Sequence, residues 1–182
     1  LGNNIGEYFS NLNVGVSGAS LIDRFDATLF KTRFACQIKD YNPANFGIDR
    51  KESRKLDKFT EYALIATDEA IKDSGMDLDI IDKSRVGVVL GSGIGGIGTL
   101  CDELRDFFVG DGTPRFSPFN IVKIITNIAP GWISLKYGFS GPGYSVSSAC
   151  ASSSHALMEA SNLIRLGKAD VVVSGGSEAP IS

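Results

Sequence analysis

Apolar residues recur at intervals of three and four over Leu56, Phe59, Tyr62, Ala63, Ala66, Ala70 and Ile71, and Gly75 stands where a helix commonly stops. This spacing predicts an amphipathic helix from Leu56 to Ser74. The run Arg85 to Leu90, RVGVVL, reads as a buried strand; GSGIGGIG follows at once, and then Leu100, Leu104, Phe107 and Phe108 continue at helical spacing. DGTPRFSPF is a loop by its glycine and prolines. Asn120 to Leu135 is apolar on most sides and predicts a helix that Pro130 and Gly131 kink or split. After the turn Gly141-Pro142-Gly143, Tyr144 to Ala149 predicts a strand. Ala156, Leu157, Ala160, Leu163 and Ile164 then mark one face of a helix ending at Gly167, and Asp170 to Ser174 is another strand. A strand, a helix and a second apolar strand make a crossover unit, which implies a parallel sheet with helices packed on it. The predicted class is therefore α/β. Residues before about Phe46 show only short apolar groups and predict irregular structure with short helices.

The chain has 182 residues, enough for one ordinary domain with a real core. Its 43% apolar and 21% charged residues exclude a disordered or collagenous chain. With 18 basic against 21 acidic side chains there is no overall positive field, so bulk nucleic-acid affinity is not expected. No run of 18 apolar residues occurs and no basic-then-apolar leader opens the sequence, so no membrane segment or export signal is expected. Cys36, Cys101 and Cys150 stand in no metal-ligand spacing and only His155 is present to assist them, which argues against a zinc site. Their odd number suggests a reducing, cytoplasmic setting with at least one thiol free to react.

Three constellations carry candidate chemistry. GSGIGG satisfies the dinucleotide fingerprint twice, through Gly91, Gly93 and Gly96 and through Gly93, Gly95 and Gly98. That fingerprint needs a second strand ending in an acidic residue about twenty positions on, and no strand carries Asp111. The alternative is that these glycines let two backbones, or a backbone and an acyl chain, approach closely. In SVSSACASSSHAL, Cys150 sits between a predicted strand and the first turn of a helix. Unpaired N–H groups and the positive end of the helix dipole there favour a thiolate by about 0.3–1 kcal/mol, rising to ~2 when partly buried. The same groups can receive a developing oxyanion, which suits acyl transfer; a structural cysteine is the competing reading. His155, five residues on, is poorly placed around a helix to reach Cys150. In RKESRKLDK, residues Lys51, Arg54, Lys55 and Lys58 would form one stripe at the start of the long helix. Such a stripe is either a solvated face or a docking surface for an acidic partner.

Taken in order, SGASLIDRFDA, RKESRKLDKF, GSGIGGIG, RFSPF, KYGFSGPGYSVSSACASS and GKADVVVSGGSEA resemble the β-ketoacyl-acyl carrier protein synthases of the thiolase fold, most of all the type II elongating synthases of bacterial fatty-acid synthesis. The resemblance covers nearly the whole chain. It implies that Cys150 takes an acyl group from a carrier-protein thioester and is then attacked by the carbanion left when malonyl carrier protein loses CO2, extending the chain in fatty-acid elongation without a cofactor or metal. It further implies that the N–H of Cys150 forms part of the oxyanion hole and that Ile94 lines the acyl pocket. Lys51, Arg54 and Lys55 would meet the acidic acyl carrier protein and its phosphopantetheine arm, and the enzyme would be a homodimer. Family members have a first strand ahead of the position of Leu1 and a second half beyond Ser182. That half holds two histidines, a lysine and the other oxyanion N–H. Residues 1–182 are accordingly expected to be the nucleophile-bearing half, inactive in condensation alone. Asn120 stands where elongating synthases often carry a second phenylalanine. A non-catalytic carrier-binding partner subunit is the alternative, and the presence of Cys150 argues against it, since such partners generally lack the nucleophile.

Overall fold

A computed structural model describes residues 1–181 and divides them into two compact units, Leu1–Gly47 with Ile181, and Ile48–Pro180. In the first, helix α1 (Ile5–Asn13) is capped by the Asn4 side chain, which accepts from the Glu7 N–H. Strands β1 (Ala19–Leu21) and β2 (Phe34–Cys36) pair antiparallel with Ser20 opposite Ala35. The sequence shows no sign of this pair, because three-residue strands are too short to display an alternation. A 3₁₀ turn, Pro43–Phe46, closes the unit at Gly47.

The second unit carries the crossover architecture. Strand β3 (Val86–Gly91) is the centre of a three-stranded parallel sheet, flanked by β4 (Gly143–Val146) and β5 (Val171–Gly176). All six residues of β3 are buried, and its alternation sorts them onto two faces. Val86, Val88 and Leu90 pack with Phe59, Leu64, Ala129 and Ile133 of helices α3 (Lys58–Ser74) and α6 (Ile128–Tyr137). Val89 faces the other way, onto Ala156 and Leu163 of α7 (Ser152–Arg165). The result is an α/β/α sandwich of the predicted class. Arg85 ties the starts of β3 and β5 together, donating from Nε and Nη2 to the Asp170 carboxylate at 3.1 and 2.7 Å and from Nη2 to the Gly167 carbonyl at 2.9 Å.

Two helix expectations are corrected. The predicted start of the long helix is a separate one-turn helix, α2 (Arg50–Ser53), and α3 begins only at Lys58. Each has its own aspartate cap: Asp49 accepts from the N–H groups of Lys51 and Glu52, and Asp57 from that of Phe59. Lys51, Arg54, Lys55 and Lys58 therefore do not form a stripe on one helix. The predicted helix from Asn120 is also divided, into α5 (Asn120–Ile124) and α6, with the break at Ile125–Asn127 rather than at Pro130. Pro130 occupies the first turn of α6, where its missing N–H removes no intrahelical bond. Between β3 and α5, helix α4 (Ile97–Val109) follows the glycine segment.

Candidate active site

The ends of three parallel strands bring the distant motifs together. β3 runs out into Ser92–Gly96, β4 into Ser147–Cys150, and β5 into Ser177–Glu178; residues of all three segments line one open cleft of about 650 Å³. Cys150 and Ile94 both lie on it and both are exposed. Clefts beyond the carboxyl ends of parallel strands are where α/β folds bind ligands.

Cys150 is presented by a sharp turn. Strand β4 stops at Val146, three residues before the predicted end, and Ala149 takes a left-handed conformation with φ of 51°. Residues Ala149–Ala151 form a single 3₁₀ turn leading into α7. The Ser152 hydroxyl clasps this turn, accepting from the Ser148 N–H at 2.8 Å and donating to the Ala149 carbonyl at 2.7 Å. A strand, a strained turn and a helix start are the parts by which nucleophile elbows lift a reactive atom clear of a sheet. His155 is engaged elsewhere, its Nδ1 lying 2.7 Å from the Ser148 hydroxyl.

Glycine is required beneath this turn. A Cβ on Gly91 would fall 2.4 Å from the Ser152 carbonyl carbon and 2.5 Å from the Ser153 nitrogen, so the first turn of α7 rests directly on the end of β3. Gly95 has a φ of +74°, and a Cβ on it would lie 2.5 Å from the Ile124 carbonyl oxygen. The glycine spacing that also fits a dinucleotide fingerprint is thus accounted for by backbone packing. The N–H groups that could cradle a phosphate are occupied: the Glu178 carboxylate accepts from Gly93, Ile94 and Gly95 at 2.5, 2.9 and 3.0 Å. Sequence reasoning missed Glu178 and Ser152. The one available signal for Glu178 was a lone acidic residue directly after the strand-ending GGS.

The basic residues lie apart from the cleft lining. Lys51 and Arg54 are exposed at α2 and its end, and Lys55 is half-buried with its ammonium 5.9 Å from the Phe119 ring centre. The backbone N–H groups of Glu52 and Lys51 hold the Asp49 carboxyl below its ordinary 3.8. Among the described residues, no helix is long and apolar enough to cross a membrane.

Comparisons with known proteins point to one family and one fold. The family profile described as "Beta-ketoacyl synthase, N-terminal domain" matches residues 1–182. The chain is 39% identical over 183 residues to the chloroplastic 3-oxoacyl-[acyl-carrier-protein] synthase I of Arabidopsis thaliana, covering 99% of this chain and 38% of that protein. It is 35% identical over 182 residues to 3-oxoacyl-[acyl-carrier-protein] synthase 2 of Staphylococcus aureus, covering 100% of this chain and 45% of that one. It thus spans less than half the length of these relatives. A type II polyketide synthase ketosynthase, solved in complex with its acyl-carrier protein, superposes with a TM-score of 0.72 at 30% identity, over 78% of this chain and 40% of that one. The ishigamide ketosynthase/chain length factor has the same fold, with a TM-score of 0.88 at 24% identity over 98% of this chain and 44% of that one.

Proposed function

Because the chain belongs to the β-ketoacyl synthase family through its N-terminal domain, we propose that it supplies the nucleophile-bearing half of a condensing enzyme that elongates fatty acyl chains on acyl carrier protein. The observation that carries this reading is the exposed Cys150 on a strained turn at the start of α7, opening onto a cleft that Ile94 also lines. The Cys150 thiolate attacks the carbonyl of an acyl-pantetheine thioester; the acyl–sulfur bond to pantetheine breaks, and the pantetheine sulfur leaves as a thiolate that takes a proton from water. Malonyl carrier protein then loses CO2, and its carbanion attacks the acyl carbon on Cys150, forming the new carbon–carbon bond and returning the thiolate. The groups that promote decarboxylation belong, by the resemblance, to the part of the relatives this chain does not span. Ile94 borders the space for the acyl chain. Lys51, Arg54 and Lys55 meet the acidic carrier protein; drawn from α2 and the link that follows it, they still present positive charge on an otherwise acidic chain.

The test is transfer of a radiolabelled acyl group from acyl carrier protein to the full-length protein, with Cys150→Ala as control. Label that depends on Cys150 is the expected result. Carrier binding without label identifies a partner subunit instead and overturns the enzymatic reading.

A further inference from the structure

Ile94 borders the cleft at Cys150 yet is 56% exposed, so side-chain packing does little to fix it. Its position is set by its backbone, and that backbone is pinned from outside the segment. One carboxylate, more than eighty residues away, accepts from three consecutive N–H groups centred on Ile94. The Ser147 hydroxyl donates to the Gly93 carbonyl at 3.2 Å, and the Gly96 N–H donates to the Ile124 carbonyl at 3.0 Å. Only an ionised carboxylate offers two acceptor oxygens with no donor. An amide in its place turns an N–H against another N–H. The three bonds touch only the glycine segment and no residue of the hydrophobic core, so they hold the cleft lining rather than the sandwich.

We propose that Glu178 is a positioning residue: by clamping Gly93–Gly95 it sets where Ile94 stands in the cleft, and thereby which acyl chain lengths Cys150 accepts. This rests on the acyl-transfer reading above. The test compares kcat/KM for acylation of Cys150 by hexanoyl and by myristoyl pantetheine thioesters in the full-length protein and its Glu178→Gln variant. The hexanoyl-to-myristoyl ratio is expected to change by about tenfold, the discrimination that small changes in an apolar pocket command. The change is expected to vanish in an Ile94→Ala background, an interaction that a merely structural role would not show. A ratio unchanged within about twofold in a folded Glu178→Gln variant overturns the positioning role while leaving acyl transfer intact. Should that variant fail to fold, Ser147→Ala, which releases only the Gly93 carbonyl, decides: a smaller shift in the same ratio supports the clamp, and no shift overturns it. A parent protein that takes no acyl group at Cys150 overturns both readings.

Discussion

Replacing Gly91 with alanine adds one methyl group at the point where the sheet and the Cys150 turn meet. The new carbon would stand 2.4 Å from the Ser152 carbonyl carbon and 2.5 Å from both the Ser152 oxygen and the Ser153 nitrogen. Ordinary carbon contacts are about 3.5–4.0 Å, so the start of α7 must retreat by about 1 Å. All three obstructing atoms are backbone, and no rotamer change relieves them. Overpacking of this kind costs about 1–3 kcal/mol. Since Cys150 rides on the same turn, a displacement of about 1 Å is also expected to slow the proposed acyl transfer by about 10²-fold. Gly131→Ala is the matched control. It lies in α6 with nothing within 4 Å of the added carbon, so the same substitution there is expected to stabilise by about 0.5–1 kcal/mol through helix propensity. The assay is urea unfolding of both variants, read from midpoints at constant slope, together with labelling of Cys150. A Gly91→Ala protein within about 0.5 kcal/mol of the parent, labelled at the parent's rate, refutes the close approach of α7 to β3.

Charge reversal at the basic cluster, Lys51→Glu with Arg54→Glu, is expected to weaken carrier-protein binding steeply at low salt and less at high salt; titration calorimetry at two ionic strengths checks this, and unchanged low-salt affinity removes the docking role. Asp57 caps α3 and accepts from the Thr99 hydroxyl at 2.5 Å while buried, so Asp57→Ala is expected to cost about 2–3 kcal/mol in chemical denaturation, and Thr99→Val about 1 kcal/mol. Arg85 holds the Asp170 carboxyl below its ordinary 3.8, chiefly by hydrogen bonding. A depressed carboxyl stabilises the fold at pH above its unfolded value and loses that contribution as pH falls through the folded one. The difference in thermal midpoint between parent and Asp170→Asn is thus expected to be constant above about pH 5 and to disappear well below pH 3.8. A difference that persists in acid places the effect elsewhere.

What was legible in the sequence was what local pattern dictates. Strand β3 announced itself as an unbroken apolar run because both its faces are covered, and α3 by its periodicity and the left-handed Gly75 that ends it. The glycine segment and the cysteine turn were placed correctly between elements for the same reason. The errors fell where one residue's role depends on geometry beyond its neighbours. Within RKESRKLDK, Asp57 reads as one more charge in a helix, yet it is the cap at which α3 starts, after α2 has already ended at Ser53. Ile125 looks like a continuation of an apolar helix; the break there leaves the Lys123 and Ile124 carbonyls facing Gly96 and Gly95, a contact made across the fold. The role of Glu178 could not be read from its place after GGS, because its partners lie 83 to 85 residues earlier in the chain.

Yet the convergence of these motifs follows from one feature that the sequence did disclose, the parallel sheet. Parallel strands point their carboxyl ends the same way, so whatever follows each strand gathers at one edge. Gly91 pairs in register with Val146 on one side and Gly176 on the other, which sets the glycine segment, the cysteine turn and Glu178 side by side however far apart they lie in the chain. Register then decides the details. A side chain at Gly91 would occupy the space of α7, and a Cβ at Gly176 would lie 2.8 Å from that of Ser153, so two glycines at matched positions form the floor on which the Cys150 turn stands. An antiparallel arrangement of the same three strands would send Cys150 and the glycine segment to opposite edges. The chemistry assigned to Cys150 is therefore inseparable from strand direction, and only the fine placement of its neighbours is left to side chains such as Ser152 and Glu178.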